Sequence, residues 1–388
     1  MTTSSPPAAA RVRARVERFH EARVAGEWGG RELFFGRSPE AGDVLVNSND
    51  YLALAGDDRV AKSIADSLAD GLGTLASGVY VHGDHPQLVL ERDLAAHMHA
   101  PAGVLCQSGW DANLGLLQAI SDAHTPVYVD QIAHMSLAAG ARLAGAPLHV
   151  FRHNDLGHLR SRTDRHGPGV IAVDALYSTN GSHCPLREMC DLAEETGCVL
   201  VVDESHSLGT TGPLGAGMVV ELGLAHRVHF RIASLSKAFA GRAGFVTATD
   251  PAFVPYFRLE SFPAVFSSAL PAHDVAGLSA TLEAVRADEW RRDRLHQVSE
   301  WVRDEVAALG FDLEGSVSQI VALQTGTEWA TIEVRELLEE HGVFGAVFAP
   351  PATPRDRALV RLSLHAGLGD DDVDRIIAAC ESVRDRWR

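Results

Sequence analysis

The chain predicts an α/β fold: a large domain on a mostly parallel, seven-stranded sheet, then a smaller C-terminal α+β domain. Three observations carry that prediction. Seven short runs rich in Val, Ile and Leu recur between about residues 100 and 250, and helical patterns separate them. The runs are apolar throughout rather than alternating, as strands covered on both faces are. From about Pro271 the texture changes to long amphipathic helix with two further strand-like runs.

Taken in order, the first ten residues are small, contain proline and lack apolar periodicity, so they are expected to be irregular. "RVRARVERFHEARVAG" sets Val12, Val16, Phe19 and Val24 at helical spacing and predicts an N-terminal helix. The seven strand runs are "GVLCQSG", "PVYVDQ", "PLHVFRH", "GVIAVDALYS", "CVLVVDES", "HFRIASLS" and "GFVTA". Beyond them "DVAGLSATLEAVRADEWRRDRLHQVSEWVRDEVAAL" reads as long helix, and "SVSQIVALQTG" and "ALVRLSLHA" as strands. The expected division is an N-terminal segment over 1–46, a large domain over 47–280 and a small domain over 281–388. No internal repeat or low-complexity linker interrupts it.

A chain of 388 residues with 46% hydrophobic and 22% charged residues has the composition of an ordinary globular protein. Its formal charge of −17 argues against nucleic-acid binding and against anionic membranes, although a locally basic pocket for an anionic substrate stays open. Five cysteines, no C-x-x-C pair, no secretory h-region and no apolar run of spanning length together predict a reducing cytoplasm.

Of the 34 basic residues only two are lysine, Lys62 and Lys237. Arginine cannot give up its proton in a protein, whereas a lysine amine can, and can then attack a carbonyl. Leftover codon usage explains Lys62 well enough. Lys237, in "RIASLSKAFAGRAG", is one of several polar residues at predicted strand ends, where ligands bind in open α/β sheets. Ser108, Gly109 and Trp110 follow the first run and open a helix, an arrangement that offers N–H groups to an anion, though glycine there also serves the turn itself. Asp203, Glu204, Ser205 and His206 follow "CVLVV", where an Asp is also a common helix cap. His134, Ser178 and Ser234 end other runs. An amine, a carboxylate, imidazoles and a phosphate cradle together suit pyridoxal 5'-phosphate, held through a lysine with an acidic partner on its ring nitrogen. A metal site is the competing reading of 19 histidines, but His82/His85 and His97/His99 lack a ligand framework, so no metal is expected.

The motifs "NSNDYLAL", "DALYSTNGSHCPL", "VVDESHSLGTTGPLGAG", "SLSKAFAGRAG" and "APPATPRDRALVRLSL" resemble the α-oxoamine synthases, fold-type I pyridoxal enzymes, over nearly the whole chain. "HGDHPQ" and "CQSGWDANLGLLQ" are most similar to the bacterial quorum-sensing synthases of long-chain aminoketone autoinducer precursors. The resemblance implies decarboxylating condensation of an amino acid, or S-adenosylmethionine, with an acyl-CoA. It leaves open the 8-amino-7-oxononanoate synthase or glycine C-acetyltransferase type, with an aminotransferase further off. It assigns Lys237 as the Schiff-base lysine, Asp203 to the ring nitrogen, His134 to the ring face, and His206 to the phenolic oxygen with Ser178 beside it. Gly109 and Trp110 with Ser234 match phosphate and ring-face contacts. Ser268 matches a hydroxyl from a neighbouring subunit, which implies a homodimer with its active site at the interface. Asn49 and Arg361 match substrate-side positions.

Two positions depart from the family pattern. Gln87 stands where many members have histidine, and Ala349 where an arginine usually precedes "PP". An arginine offers a two-pronged grip on a carboxylate, which alanine cannot. The loss leaves Arg361 as the expected grip. It also predicts open space beside the reacting carbon and an amino substrate larger than glycine, with Arg355 or Arg357 as alternative replacements.

Overall fold

This computed structural model describes residues 7–387 except 72, 74 and 314, and the side chains of 385–387 lie outside that description. The seven apolar runs form one sheet from β2 (Ala102–Cys106), β3 (Val127–Asp130), β4 (Leu148–Phe151), β5 (Val170–Asp174), β6 (Val199–Asp203), β7 (Phe230–Ser234) and β8 (Gly244–Ala248). Their spatial order is β2-β8-β7-β6-β5-β3-β4. Every residue of β3, β5 and β8 is buried, because helices cover both faces, and that explains the unbroken apolar runs.

Strand direction decides where the chemistry lies. β3, β4, β5, β6 and β7 pair in parallel, so their carboxyl ends share one edge and bring Asp130, Asp174, Asp203 and Ser234 to it. β8 alone in this sheet runs antiparallel, against both β2 and β7. Its first residue, Gly244, therefore reaches that same edge, in register with Cys106 and Ser234. A Cβ on Gly244 would lie 2.1 Å from the Ser108 carbonyl oxygen, so only glycine fits between these two turns.

A second sheet has the order β1-β10-β11-β9, from β1 (Val44–Val46), β9 (Ile320–Gly326), β10 (Val343–Phe348) and β11 (Ala358–Ser363). β10 pairs antiparallel with β11, and β11 with β9, whereas β1 joins β10 in parallel. Val44 and Val46 share a core with Val302, Leu338, Leu362 and Ile376, so the start of the chain is packed into its C-terminal part.

Two local expectations need correcting. The long C-terminal helix is two helices, Ala272–Ala287 and Glu289–Ala308, broken at Asp288. Asp288 leaves helical geometry to take hydrogen bonds from Arg59 and Arg291, which also engage Asp57. The N-terminal helix starts at Ala8, inside the stretch expected to be irregular, and wider π-type turns continue it over Phe19–Glu27. Val12, Val16 and Phe19 on this helix stay exposed, while Trp28 and Leu33 beyond it are buried against Ile332, Ala349 and Ala358. Among the described residues no helix is long and apolar enough to cross a membrane.

Candidate active site

At the carboxyl edge of the large sheet lies a cavity of about 280 Å3. Eight residues expected at a site line it: Ser108, Gly109, Trp110, His134, Asp203, His206, Ser234 and Lys237. Asn113, Asp174, Ser205 and Ser236 complete the wall. They come from the carboxyl ends of strands and from the turns and helix starts that follow them. β2 leads to Ser108, which caps helix Gly109–Ile120 by accepting from the Asp111 amide at 3.1 Å. Gly109 approaches β7 so closely that a Cβ there would sit 2.5 Å from Ser234 Cβ and 2.9 Å from Ser234 Cα. Ser234 and Ser236 place their hydroxyls 2.8 Å apart.

Asp203 is buried and held from two sides. Asn113 donates to it through Nδ2 at 2.7 Å, and the Ser205 amide donates at 2.9 Å. The same Asn113 Nδ2 lies 2.9 Å from the Ser136 hydroxyl, which is 2.6 Å from His134 Nδ1. Carboxylate and imidazole are thereby linked through two neutral side chains. The next residue, Glu204, turns to the opposite side, 3.6 Å from the buried Arg231. Asp174 accepts from the His134 amide at 3.2 Å on either oxygen. Burial, and Asp203 beside it, push the Asp174 carboxyl well above the usual carboxylate range.

All three bases are shifted toward their neutral forms. Burial pushes the His134 imidazole below its ordinary value, with Asp203 opposing and Lys237 adding to the shift. His206 is pushed well below, first by burial and then by Lys237 and Arg361. Lys237 is lowered to about 8, again chiefly by burial, with Arg361 adding to the shift and Asp203 opposing it. Its amine makes no hydrogen bond or ion pair among the described residues, which leaves it available as a nucleophile or base.

Asn49 and Arg361 stand behind this cavity rather than on its wall. The Arg361 guanidinium is buried over the Phe348 ring and donates to Asn49 Oδ1 at 2.7 Å and to the Ser178 carbonyl at 2.7 Å. Both partners are neutral, and Arg361 Nε has none. Ser178 thus enters through its carbonyl, holding the arginine. Ser268 is apart from the cavity: it is exposed, and its carbonyl accepts from Gln107 Nε2.

Ala349 corrects an expectation. It is 2% exposed, within the apolar cluster of Trp28, Leu33, Ile332 and Ala358, so its small side chain opens no space at the lysine. Arg355 lines a different cavity, of about 400 Å3, with Arg23 and Pro350. Gln87 is buried and donates to Glu91, away from the lysine cavity.

Sequence reasoning passed over Asn113 and Asp174. Asn113 lies four residues beyond Gly109, on the same helix face, and Asp174 ends its strand in "VD" just as Asp203 does. Both signals were present.

The donor set fits pyridoxal 5'-phosphate. The cavity holds an unpaired amine, a buried carboxylate oriented by Asn113, two imidazoles held neutral, and a helix start that glycine brings against Ser234.

The chain matches the family Aminotransferase class I and II over residues 42–379. It is 40% identical over 354 residues to the CAI-1 autoinducer synthase of Vibrio campbellii, covering 91% of this chain and 90% of that one. It is 35% identical over 350 residues to the 8-amino-7-oxononanoate synthase of Anaeromyxobacter dehalogenans, covering 88% and 87%. The serine palmitoyltransferase of Sphingomonas wittichii, at 24% identity, shares the fold with a TM-score of 0.89 over 98% of this chain and 99% of that one. The serine palmitoyltransferase of S. paucimobilis, solved with PLP bound, has a TM-score of 0.88 at 23% identity, covering 98% and 99%. With motifs, cavity and relatives in agreement, the chain belongs to the α-oxoamine synthases, pyridoxal 5'-phosphate-dependent acyltransferases of the class I and II aminotransferase fold.

Proposed function

We propose that the protein condenses an amino acid with a medium- or long-chain acyl-CoA, releasing carbon dioxide and CoA and yielding an α-aminoketone that serves as an autoinducer precursor. The observation that carries the reading is the unpaired Lys237 amine, lowered to about 8 and facing Asp203, His134 and His206 in one cavity. The 40% identity to an autoinducer synthase supports the choice within the family.

When bound, pyridoxal 5'-phosphate supplies an electron sink for negative charge at the substrate α-carbon. Asp203 holds a proton on its ring nitrogen, and Asn113 and the Ser205 amide keep that carboxylate in place. His134 would cover the ring face, and the start of helix Gly109–Ile120 with the Ser234 and Ser236 hydroxyls would receive the phosphate. Lys237 Nζ would hold the cofactor, and once released its neutral amine could accept the α-proton. Arg361, a buried cation with only neutral partners just behind the cavity wall, would bind the substrate carboxylate by exchanging one of those partners for it.

A second copy of the chain completes the site. Tyr80, Leu259, Phe262 and Phe266 are exposed, Phe266 at 83%, on the segments around Ser268. Their burial in a homodimer brings the Ser268 hydroxyl to the partner's phosphate.

The test offers glycine, alanine, 2-aminobutyrate and S-adenosylmethionine together with one medium-chain acyl-CoA. Mass spectrometry is expected to find an aminoketone, with CoA and carbon dioxide in equal amounts. A keto acid formed without CoA release identifies an aminotransferase instead. Detection of 8-amino-7-oxononanoate as the product would instead favour the synthase of that name, which the Anaeromyxobacter relative suggests.

A further inference from the structure

Tyr51 follows "NSND" directly after β1 and is fully buried, with its hydroxyl at the one ring nitrogen of His206 that has a partner among the described residues. Tyr51 Oη lies 2.6 Å from His206 Nδ1 and 3.1 Å from Asn49 Oδ1. Among the described residues His206 Nε2 has no hydrogen-bond partner, and the ring lines the lysine cavity.

Two proton arrangements satisfy this contact. In one, Tyr51 donates to Nδ1 and His206 carries its proton on Nε2. In the other, Nδ1 donates to Tyr51, Tyr51 donates to Asn49, and Nε2 presents a lone pair. Asn49 Oδ1 already accepts from the Arg361 guanidinium at 2.7 Å, so a charged donor holds the amide oxygen whichever way the Tyr51 hydroxyl turns, and its second lone pair lies 3.1 Å from Tyr51 Oη. The shorter contact, at 2.6 Å, belongs to the imidazole. Burial raises the Tyr51 hydroxyl to about 12, so it keeps a proton to give, and His206 is held neutral, so it has one nitrogen to receive it.

We propose that Tyr51 is a positioning residue that fixes His206 as its Nε2–H tautomer, so that the ring offers a donor, not a lone pair, to an anionic oxygen in the cavity. A donor stabilises the anionic oxygen and lowers its proton affinity, whereas a lone pair repels it. The inference rests on His206 facing the cofactor, but the tautomer itself can be read without the cofactor.

The experiment has two arms. In cofactor-free protein labelled with 15N-histidine, with the His206 signal identified by its loss in His206→Gln, magnetic resonance is expected to show the proton on Nε2. A proton on Nδ1 overturns the proposal, whatever any variant does. In holoenzyme, Tyr51→Phe keeps the buried ring and removes the hydroxyl. The pH midpoint of the bound cofactor's absorbance is expected to rise by roughly 0.5–1 unit. A role in packing alone lowers cofactor occupancy without moving that midpoint, and an unmoved midpoint overturns the proposal. An Nε2 proton with an absorbance that ignores even His206→Gln shows instead that His206 does not face the cofactor, and this too overturns the proposal.

Discussion

Asp174 and Asp203 stand opposite each other in register on the adjacent parallel strands β5 and β6, yet their surroundings treat the two carboxyls differently. Asp203 takes a side-chain donor and a backbone donor, whereas Asp174 shares one amide, that of His134, between its oxygens. Two buried acids so close cannot both ionise cheaply. Asp174, with its carboxyl raised, keeps the proton. Asp174→Asn mimics that state and is expected to cost less than about tenfold in turnover, because its oxygen still accepts from His134. Asp203→Asn is expected to cost about a hundredfold or more, since an amide cannot hold the ring-nitrogen proton. Steady-state rates of the two variants decide it. Equal losses would mean that the carboxyls share one role.

Lys237 sets a pH dependence for loading the cofactor. Its lowered value leaves the amine neutral at a lower pH than an ordinary lysine near 10.5. The rate of covalent attachment to cofactor-free protein should therefore rise about tenfold per pH unit below the midpoint and level off above about pH 8. Stopped-flow absorbance measures it. A plateau reached only above pH 10 would show an unperturbed lysine.

Gly109→Ala drives a methyl group against Ser234 Cα and Cβ, and the Cα cannot rotate away. The helix start must shift, so cofactor affinity is expected to fall about tenfold while the far-ultraviolet circular dichroism is retained. An unchanged dissociation constant would show that this helix start does not hold the phosphate.

Ala349→Arg restores the family's usual residue but places it among Trp28, Leu33 and Ile332. Overpacking of this kind costs about 1–3 kcal/mol, so chemical denaturation should show a lower midpoint. Full stability combined with altered amino-acid selectivity would mean that position 349 does reach the substrate.

His97 makes the fold sensitive to acid. Burial, with Arg286 nearby, pushes it down to about 4, and it lies 3.2 Å from the Gly215 carbonyl. Between about pH 6.5 and pH 4 the unfolded chain binds a proton that the folded chain refuses, so stability falls as pH falls. His97→Gln keeps a donor for Gly215 and should flatten that fall by up to about 1.4 kcal/mol per pH unit. Urea midpoints at pH 7 and pH 5 measure it. His134 and His206 shift in the same direction, so a residual slope is expected.

The large sheet was legible because strands buried on both faces must be apolar along their whole length, as "VIAVD" and "VLVVD" are. The strand-end rule then located Lys237, Asp203, His134 and His206 in one cavity. The misses have physical causes. β1 is three residues long and owes its existence to β10, 299 residues away, so no local pattern announces it. β10, "VFGAVF", has a glycine at its centre and half-buried residues beyond it. Asp288 falls inside an unbroken helical pattern and stops it by joining Arg59, from far earlier in the chain, and Arg291, three residues on. Ala349 was read as a vacancy, because a sequence shows a missing side chain but not the neighbours that fill its place.

The bond from Arg361 to Asn49 joins a residue near the start of the chain to one in its last strand, and Ser178 from the middle holds the same guanidinium. A polypeptide emerging from the ribosome will thus have made its lysine, carboxylate and phosphate cradle well before β11 exists. On the proposal that Arg361 binds the substrate carboxylate, such a nascent chain would capture cofactor before it could grip an amino acid. Affinity for the cofactor and competence to turn over substrate should therefore mature at different chain lengths.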